Sequence, residues 1–295
     1  MSDTLRTTVT FIVSGFLATG FVWAGEVTHK PVRLSRGGTA EAPEVFDGRG
    51  MVIDLGVDVT DHPWKKAGDV WTSSTPLSGP EPVVAGQFTA LFLDEMPITL
   101  AHDRVAERAA ADKKAFCYLP PSALKPGQMG CTPDGLLYFR WPASKSPGKT
   151  RVILPPKAGI SCVSICCSYI TVKNVTVVHA SNDGFNIHGD WVGIRLENVR
   201  ALSNADEGVS AHENVQMDVD GAEIAWNGSS DGGVADVGRS ITTYKNCKVH
   251  DNVGAGFKFA GQSHRVTDTV IYNQAKAFDV VKGTLFKQER IEHRE

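Results

Sequence analysis

The stretch Ser181-Asn182-Asp183-Gly184-Phe185-Asn186-Ile187-His188 decides the fold, because related segments return at 206–212, 230–236 and 254–260. The segments bring a glycine every 24 residues, at Gly184, Gly208, Gly232 and Gly256. A repeat of this length is typical of stacked architectures, in which one unit cannot bury its apolar face alone.

Each repeat has the pattern of short strands. Apolar residues alternate, as in Phe185 and Ile187, and this is the period of a half-buried strand. The unit has no helical period and no Leu-x-x-Leu-x-Leu frame. The sequence therefore predicts an all-β fold, a single-stranded parallel β-helix with coils about 4.8 Å apart. Phe185, Val209 and Phe257 are expected to stack inside it.

A second column of the repeat consists of asparagines: Asn204, Asn227, Asn252 and Asn273. Asparagine tolerates the left-handed conformation of a tight turn. Its side-chain amide can also bond to the next coil. We therefore predict one turn of each coil at these asparagines.

The chain outside the repeat suggests further divisions. Residues 1–24 resemble a secretory signal, with an uncharged run that ends in Val22-Trp23-Ala24, so we predict a secreted or periplasmic protein. An apolar cap over the first coil is the alternative. No other segment has the roughly 18 apolar residues of a membrane span. The predicted units after the signal are 25–59 (first coil or coils), 60–150 (inserted mixed subdomain with one helix within 99–116), 151–285 (β-helix) and 286–295 (charged tail).

Charge and cysteine content narrow the class of protein. The net charge of −3 gives no electrostatic case for binding nucleic acid. Six cysteines are too few and too unevenly placed for a disulfide scaffold, although Cys117 and Cys131 could be bridged in an exported protein. The remaining four (Cys162, Cys166, Cys167 and Cys247) are expected in the core rather than on a metal.

Acidic residues gather just before the recurring strand, at Asp183, Asp206, Glu207 and Asp231. A ladder of like charges on adjacent coils is unfavourable unless something compensates it. Three successive coils with acids at one corner therefore indicate a candidate site. The alternative is turn chemistry, because Asp and Asn beside glycine bond to their own backbone.

These segments resemble the right-handed β-helix carbohydrate-active enzymes, and among them the polygalacturonase-like glycoside hydrolases. The family signature Asn-Thr-Asp-Gly, then Asp-Asp, Gly-His-Gly and Arg-Ile-Lys is similar to residues 181–184, 205–208, 231–233 and 257–260. The resemblance implies a catalytic trio of Asp183, Asp206 and Glu207, with Lys258 as a cation that faces the substrate. The histidine of Gly-His-Gly is absent here.

Glycoside cleavage needs one carboxylic acid that protonates the leaving oxygen and one carboxylate that acts as base or nucleophile. Residues one coil apart start about 5 Å apart, which suits such a pair. Crowded carboxylates raise one another's proton affinity, so one of them can remain an acid near neutral pH. This hydrolase hypothesis requires no cofactor and predicts a monomer acting on a polysaccharide.

A second candidate constellation is His188, His212 and Asp236, expected on one outward column of the recurring strand. Two imidazoles and a carboxylate can bind a divalent metal or act as a general base, or they can form a solvated polar ladder.

Three other functions remain open from the sequence. A uronate lyase or epimerase would use cations such as Arg239, Lys258 and Arg265, with calcium held by Asp183, Asp206 and Asp231. A non-catalytic glycan-binding or surface module is the third alternative, since fold does not fix function.

Overall fold

The structure is a computed structural model that describes residues 25–75, 90–101, 118–132, 135–145, 148–156 and 159–294. In chain order the strands are β1 (Val27–Thr28), β2 (Val32–Leu34), β3 (Glu44–Asp54), β4 (Val57–Asp58), β5 (Trp64–Ala67), β6 (Val70–Ser73), β7 (Ala90–Leu93), β8 (Met96–Leu100), β9 (Gln128–Cys131), β10 (Leu137–Arg140), β11 (Val152–Leu154), β12 (Val163–Ile165), β13 (Ile170–Val178), β14 (Phe185–Ile187), β15 (Ile194–Glu197), β16 (Arg200–Leu202), β17 (Val209–Ala211), β18 (Gln216–Asp220), β19 (Glu223–Ala225), β20 (Gly232–Asp236), β21 (Ile241–Lys245), β22 (Lys248–His250), β23 (Ala255–Phe259), β24 (Ser263–Tyr272), β25 (Lys276–Val280) and β26 (Leu285–Arg294). A 3₁₀ helix spans Pro121–Ala123.

The β-helix is built from two parallel sheets. The front sheet has seven strands in the order β2-β12-β14-β17-β20-β23-β25. A second sheet of eleven strands forms the rest of each coil, and its long strands β13 and β24 continue across both of the other faces. The predicted parallel β-helix is confirmed.

The core is a stack of apolar side chains inside the coils. Phe185 pairs with Val209, Val209 with Val234, and Val234 with Phe257, and all four are fully buried. This inward stack follows from the alternation of apolar residues in the sequence. The predicted stacking of Phe185, Val209 and Phe257 is confirmed.

The register of the third repeat differs from the prediction by one residue. Gly233, not Gly232, takes the place of Gly208, because Val209 pairs with Val234 and a Cβ on Gly233 would meet the Asn252 amide just as one on Gly208 would meet Asn227. Asp236 therefore pairs with Ala211 and points into the core rather than outward. The expected column of His188, His212 and Asp236 is wrong for this reason, since a slip of one residue moves a side chain to the other face of a strand.

The asparagine ladder lies inside the coils. The Asn204 amide donates to Asn227 Oδ1 at 3.0 Å, and the Asn227 amide donates to Asn252 Oδ1 at 2.9 Å. The next member is Gln274, whose Oε1 accepts from Asn252, so the assignment of Asn273 was wrong. The left-handed residue of each turn precedes the ladder residue: the set is Ser203, Trp226, Asp251 and Asn273.

Strands β4 to β11 form a separate sheet of eight strands, in the order β4-β11-β7-β8-β9-β10-β6-β5. The sequence predicts that the β-helix resumes at Arg151, but β11 pairs antiparallel with β4 and β7. Three aliphatic residues in a row fit either sheet, and the β-helix resumes at β12. Of the helix predicted within 99–116, Thr99 and Leu100 belong to β8, and residues 102–116 lie outside the described residues.

Two terminal predictions have different outcomes. The signal segment 1–24 lies outside the described residues, as does Cys117 of the predicted disulfide. The charged residues after position 285 form β26, which pairs in parallel with β24 and adds a strand to the last coil. In the described part of the chain, no helix has the length and apolar character needed to span a bilayer.

The eight-stranded sheet contacts the β-helix next to the acidic residues. Ala90, Phe92 and Ile153 form one buried cluster with Ala205. The Ser203 hydroxyl also donates to the Glu95 carbonyl at 2.8 Å. Since Asp206 follows Ala205 directly, the smaller sheet borders the corner where the acids lie.

Candidate functional site

The acids lie on the coil corner that leads into the front sheet. Gly184 donates its N–H to the Glu207 carbonyl, and the Glu207 N–H donates to Asp183 Oδ1 at 3.3 Å. Glycine is required beside Glu207 because a Cβ on Gly208 would lie 2.7 Å from the Asn227 amide nitrogen. The chain thus turns tightly over the asparagine ladder, and this turn brings the acids of adjacent coils together.

The structure brings Asp183, Asp206 and Glu207 into one cluster, here called the acidic corner. One carboxylate oxygen from each lies within 4.8 Å of the others. Asp183 is 3% exposed and Glu207 9% exposed, whereas Asp206 is half-buried. The two buried acids form a pair, and Asp206 is the member most open to solvent.

Neutral groups hold the buried pair. The Ser210 hydroxyl donates to Asp183 Oδ2 at 2.6 Å, and the Asn182 amide donates to the same oxygen at 3.1 Å. The Ser229 hydroxyl donates to Glu207 Oε1 at 2.6 Å. None of these three donors was predicted as a site residue from the sequence. Ser210 was the best signalled of them, since it lies on an outward column of the recurring strand.

Burial raises the pKa of both acids. The pKa of Glu207 is raised further by the negative charges of Asp183 and Asp206. The pKa of Asp183 is raised by burial and by Asp206, although hydrogen bonds from Glu207 and Ser210 oppose the rise. Glu207 therefore holds a proton that it shares with Asp183 near neutral pH.

Asp206 has no hydrogen-bond donors of the kind that hold Asp183 and Glu207 in the described part of the chain. Among the described residues, no side chain donates a hydrogen bond to its carboxylate, and no Lys, Arg or His lies within 4.0 Å of it. The corner thus combines a protonated acid with an unpaired carboxylate, which are the two groups that acid–base chemistry requires.

The acidic corner also has the ligand chemistry of a hard cation. Three carboxylates within 4.8 Å of one another offer the oxygen ligands that calcium prefers. The expected calcium set contains Asp231, but the structure brings Glu207 into its place. Asp231 instead forms an ion pair.

The partner of Asp231 is Lys258, whose ammonium lies 2.6 Å from Asp231 Oδ1. Lys258 projects from β23 on the outer face of the front sheet, in register with Ala235 of β20. The candidate substrate-facing cation is therefore already compensated. Ser229 ties this pair to the acidic corner, because its Oγ accepts from the Asp231 N–H and donates to Glu207.

His188 and His212 lie at the opposite end of the front-sheet strands. Their rings stack with centroids 3.7 Å apart, and His188 Nδ1 lies 3.2 Å from Glu213 Oε1. Burial and the neighbouring His188 lower the pKa of His212. Arg239 is exposed at the same end, and its N–H donates to the Glu213 carbonyl. These residues do not contact the acidic corner.

Asp236 is fully buried inside the β-helix and takes no part in either group. Its carboxylate accepts hydrogen bonds from Thr242 at 2.6 Å, from Tyr244 at 3.0 Å and from the Ala211 N–H at 3.2 Å. Burial raises the pKa of Asp236 to about 7. It is a polar group of the core.

The C-terminal part of the chain matches a known family model. Residues 158–292 match the model described as a right handed beta helix region. This segment is a right-handed parallel β-helix. A search of curated protein sequences gave no match.

Three solved structures are similar to this chain at low identity. One described as a glycoside hydrolase has 10% identity and a TM-score of 0.35, with 90% of this chain and 87% of that chain covered. The complex of XylC with xylose has 10% identity and a TM-score of 0.45, with 92% and 64% covered. The tailspike protein gp49 from Pseudomonas phage LKA1 has 13% identity and a TM-score of 0.25, with 85% and 48% covered. Similarity at this level does not extend to activity.

Proposed function

We propose that this protein is an exported carbohydrate-active β-helix enzyme that hydrolyses glycosidic bonds at the acidic corner. The observation that carries the proposal is the buried pair of Asp183 and Glu207, held by Ser210 and Ser229, beside the half-buried carboxylate of Asp206. Hydrolysis of a glycoside needs an acid and a base or nucleophile on adjacent groups.

The roles follow from exposure and protonation. The Asp183–Glu207 pair retains a proton near neutral pH because its burial disfavours two negative charges, so it supplies the acid for the leaving oxygen. Asp206 is the most exposed of the three and, among the described residues, accepts no side-chain hydrogen bond, so we assign it the role of base or nucleophile. Ser210 and Ser229 fix the orientation of the acid pair.

A lyase or epimerase has less support from the geometry. β-Elimination from a uronate requires a cation that neutralises the sugar carboxylate. Lys258 is paired with Asp231, and Arg239 lies at the other end of the strands. A glycan-binding module without catalysis is favoured by one observation, namely that the hydrogen bonds to Asp183 and Glu207 would equally hold a structural polar cluster.

Product analysis tests the proposal. Wild type and Asp183→Asn are incubated with a panel of neutral and uronic polysaccharides, and reducing ends and ultraviolet absorbance are measured. We expect new reducing ends without the absorbance of an unsaturated uronate, and their loss in the variant. Asp218→Asn is the matched control, because Asp218 is exposed on the other sheet of the β-helix.

Two results would overturn the hydrolase. Absorbance from an unsaturated product would assign a lyase. Binding of a polysaccharide without any cleavage would assign a non-catalytic module.

A further inference from the structure

We infer that the acidic corner accepts a neutral glycan and excludes polyuronates, with the Asp231–Lys258 ion pair as the element that sets this preference. The inference rests on the proposed function and deepens it by naming the substrate class.

The first argument is the charge of the corner itself. The Asp183–Glu207 pair shares one proton and so keeps one negative charge, and Asp206 adds a second. The donors to the pair (Asn182, Ser210, Ser229 and the Glu207 N–H) are all neutral. Within the described part of the chain, no ion pair reaches the three acids. A sugar carboxylate at this point would meet like charge at low effective dielectric.

The second argument concerns Lys258, the cation that the register places on the front sheet beside the corner. Its ammonium is 2.6 Å from Asp231 Oδ1, and the Lys258 side chain is only 23% exposed. A uronate would have to displace Asp231 before it could use this charge. Asp231 is also fixed by the hydrogen bond from its N–H to Ser229. The pair therefore hides the positive charge from an anionic ligand.

The third argument is the distance of the other candidate cation. Arg239 follows the C-terminal end of β20, whereas Asp231 immediately precedes β20. The five residues of β20 span about 16 Å at the rise of an extended strand. Arg239 therefore lies too far along the sheet to neutralise a carboxylate on a sugar bound at the acidic corner.

Neutral polar groups flank the corner on the side of the preceding coil. Asn182 and Asn186 each donate an amide hydrogen bond to the Ser161 hydroxyl, at 3.0 and 3.1 Å. Both asparagines are half-buried. Asn182 uses both amide hydrogens on Ser161 and Asp183, so its carbonyl oxygen, together with the carbonyl oxygen and second amide hydrogen of Asn186, is open to a ligand. Amide and hydroxyl groups match the hydroxyls of an uncharged sugar.

The test uses the full chain and defined ligands. Binding of neutral hexasaccharides (gluco-, xylo-, manno- and galacto-configured) and of hexagalacturonate is measured by calorimetry at low ionic strength, for wild type, Asp231→Asn and the double variant Asp231→Asn/Lys258→Met. Thermal unfolding checks that each variant is folded. Cleavage of the same ligands is followed in parallel.

We expect wild type to bind at least one neutral hexasaccharide about tenfold or more tightly than hexagalacturonate. Asp231→Asn frees the Lys258 ammonium and should improve hexagalacturonate binding about tenfold, as one charged hydrogen bond would. Added salt should remove this gain, because it is electrostatic. The double variant should lack it.

The outcomes separate this inference from the proposed function. Cleavage of hexagalacturonate in preference to neutral ligands would leave a hydrolase but overturn the neutral substrate. A folded Asp231→Asn variant with an unchanged preference would overturn the role of the ion pair. Neutral binding without cleavage would retain the ligand class and remove the hydrolase, and no binding to any glycan would overturn both.

Discussion

The acidic corner and Asp236 both place carboxyl groups away from water, but in different surroundings. In both places a carboxylate has left water, accepts short hydrogen bonds from hydroxyl groups and has a raised pKa. At the corner the acids lie on the outside of the coil and Asp206 completes the group in contact with solvent. Asp236 lies inside the β-helix with no exposed surface.

The difference shows that a raised pKa alone does not mark a reactive group. Asp236 faces Thr242, Tyr244 and His264, and all of them are buried with it. No ligand reaches this carboxyl without opening the coil. The corner differs by its access and by an unpaired second carboxylate, so position relative to solvent decides the assignment.

The largest expected effect is on activity, and it separates Glu207 at the acidic corner from Asp236 in the core. Glu207→Gln removes the shared proton donor but keeps the side-chain shape, so kcat/KM on a cleaved polysaccharide should fall about 10²- to 10⁴-fold, as for loss of a general acid. Steady-state kinetics on a substrate identified by product analysis measures it.

Asp236→Asn is the matched control for that experiment. It makes the same chemical change in a buried group that cannot touch substrate, and kcat/KM should stay within about threefold of wild type. Equal losses in both variants would contradict the distinction between the corner and the core.

The same comparison shows where the sequence was sufficient. Alternation of apolar residues and the 24-residue glycine spacing are local features, and they predicted the stack of Phe185 on Val209. The clustering of Asp183 with Glu207 followed from their shared place beside those glycines. The sequence could not predict which side chains pair, because the ion pair of Lys258 with Asp231 depends on the direction of a long flexible side chain.

The wrong placement of Asp236 had one physical cause, a register that the sequence left undetermined. Gly232 and Gly233 have no side chain, so nothing in the third repeat shows which of them occupies the glycine column. One residue of slip then turned Asp236 from an expected surface ligand into a core group. The adjacent sheet has no internal repeat, and the run Val152–Leu154 carries no pattern that separates it from a strand of the β-helix.

The next effect is on stability. Asp236→Ala removes the acceptor of three hydrogen bonds and leaves Thr242, Tyr244 and the Ala211 N–H without it, inside a closed coil. We expect the free energy of unfolding to fall by about 3 kcal/mol. Urea denaturation followed by circular dichroism measures it.

Ser210→Ala is the counterpart at the corner. It removes one donor to Asp183, next to groups that remain hydrogen-bonded, and should cost about 1 kcal/mol. A loss for Asp236→Ala no larger than that for Ser210→Ala would show that the interior cluster is not an integral part of the core.

A further effect is a dependence of stability on pH. The pKa of Asp236 is about 7 in the folded chain and 3.8 is its ordinary value, so between these values the folded state binds the proton and the unfolded state does not. The contribution of Asp236 is therefore complete below about pH 4 and is lost as the pH rises to about 7, with a slope of up to about 1.4 kcal/mol per pH unit. His264 acts in the opposite direction, because burial lowers its pKa to about 4 and its neutral form favours folding as the pH rises from about 4 to about 6.5. The contributions of Asp236 and His264 oppose each other in wild type, and the acids of the corner add to the contribution of Asp236.

The informative quantity is thus the unfolding free energy of wild type minus that of Asp236→Asn, measured in urea from pH 4 to 8. That difference should decrease as the pH rises and become flat above about pH 7, and a difference that is flat throughout would show that Asp236 is ionised in the core at every pH tested.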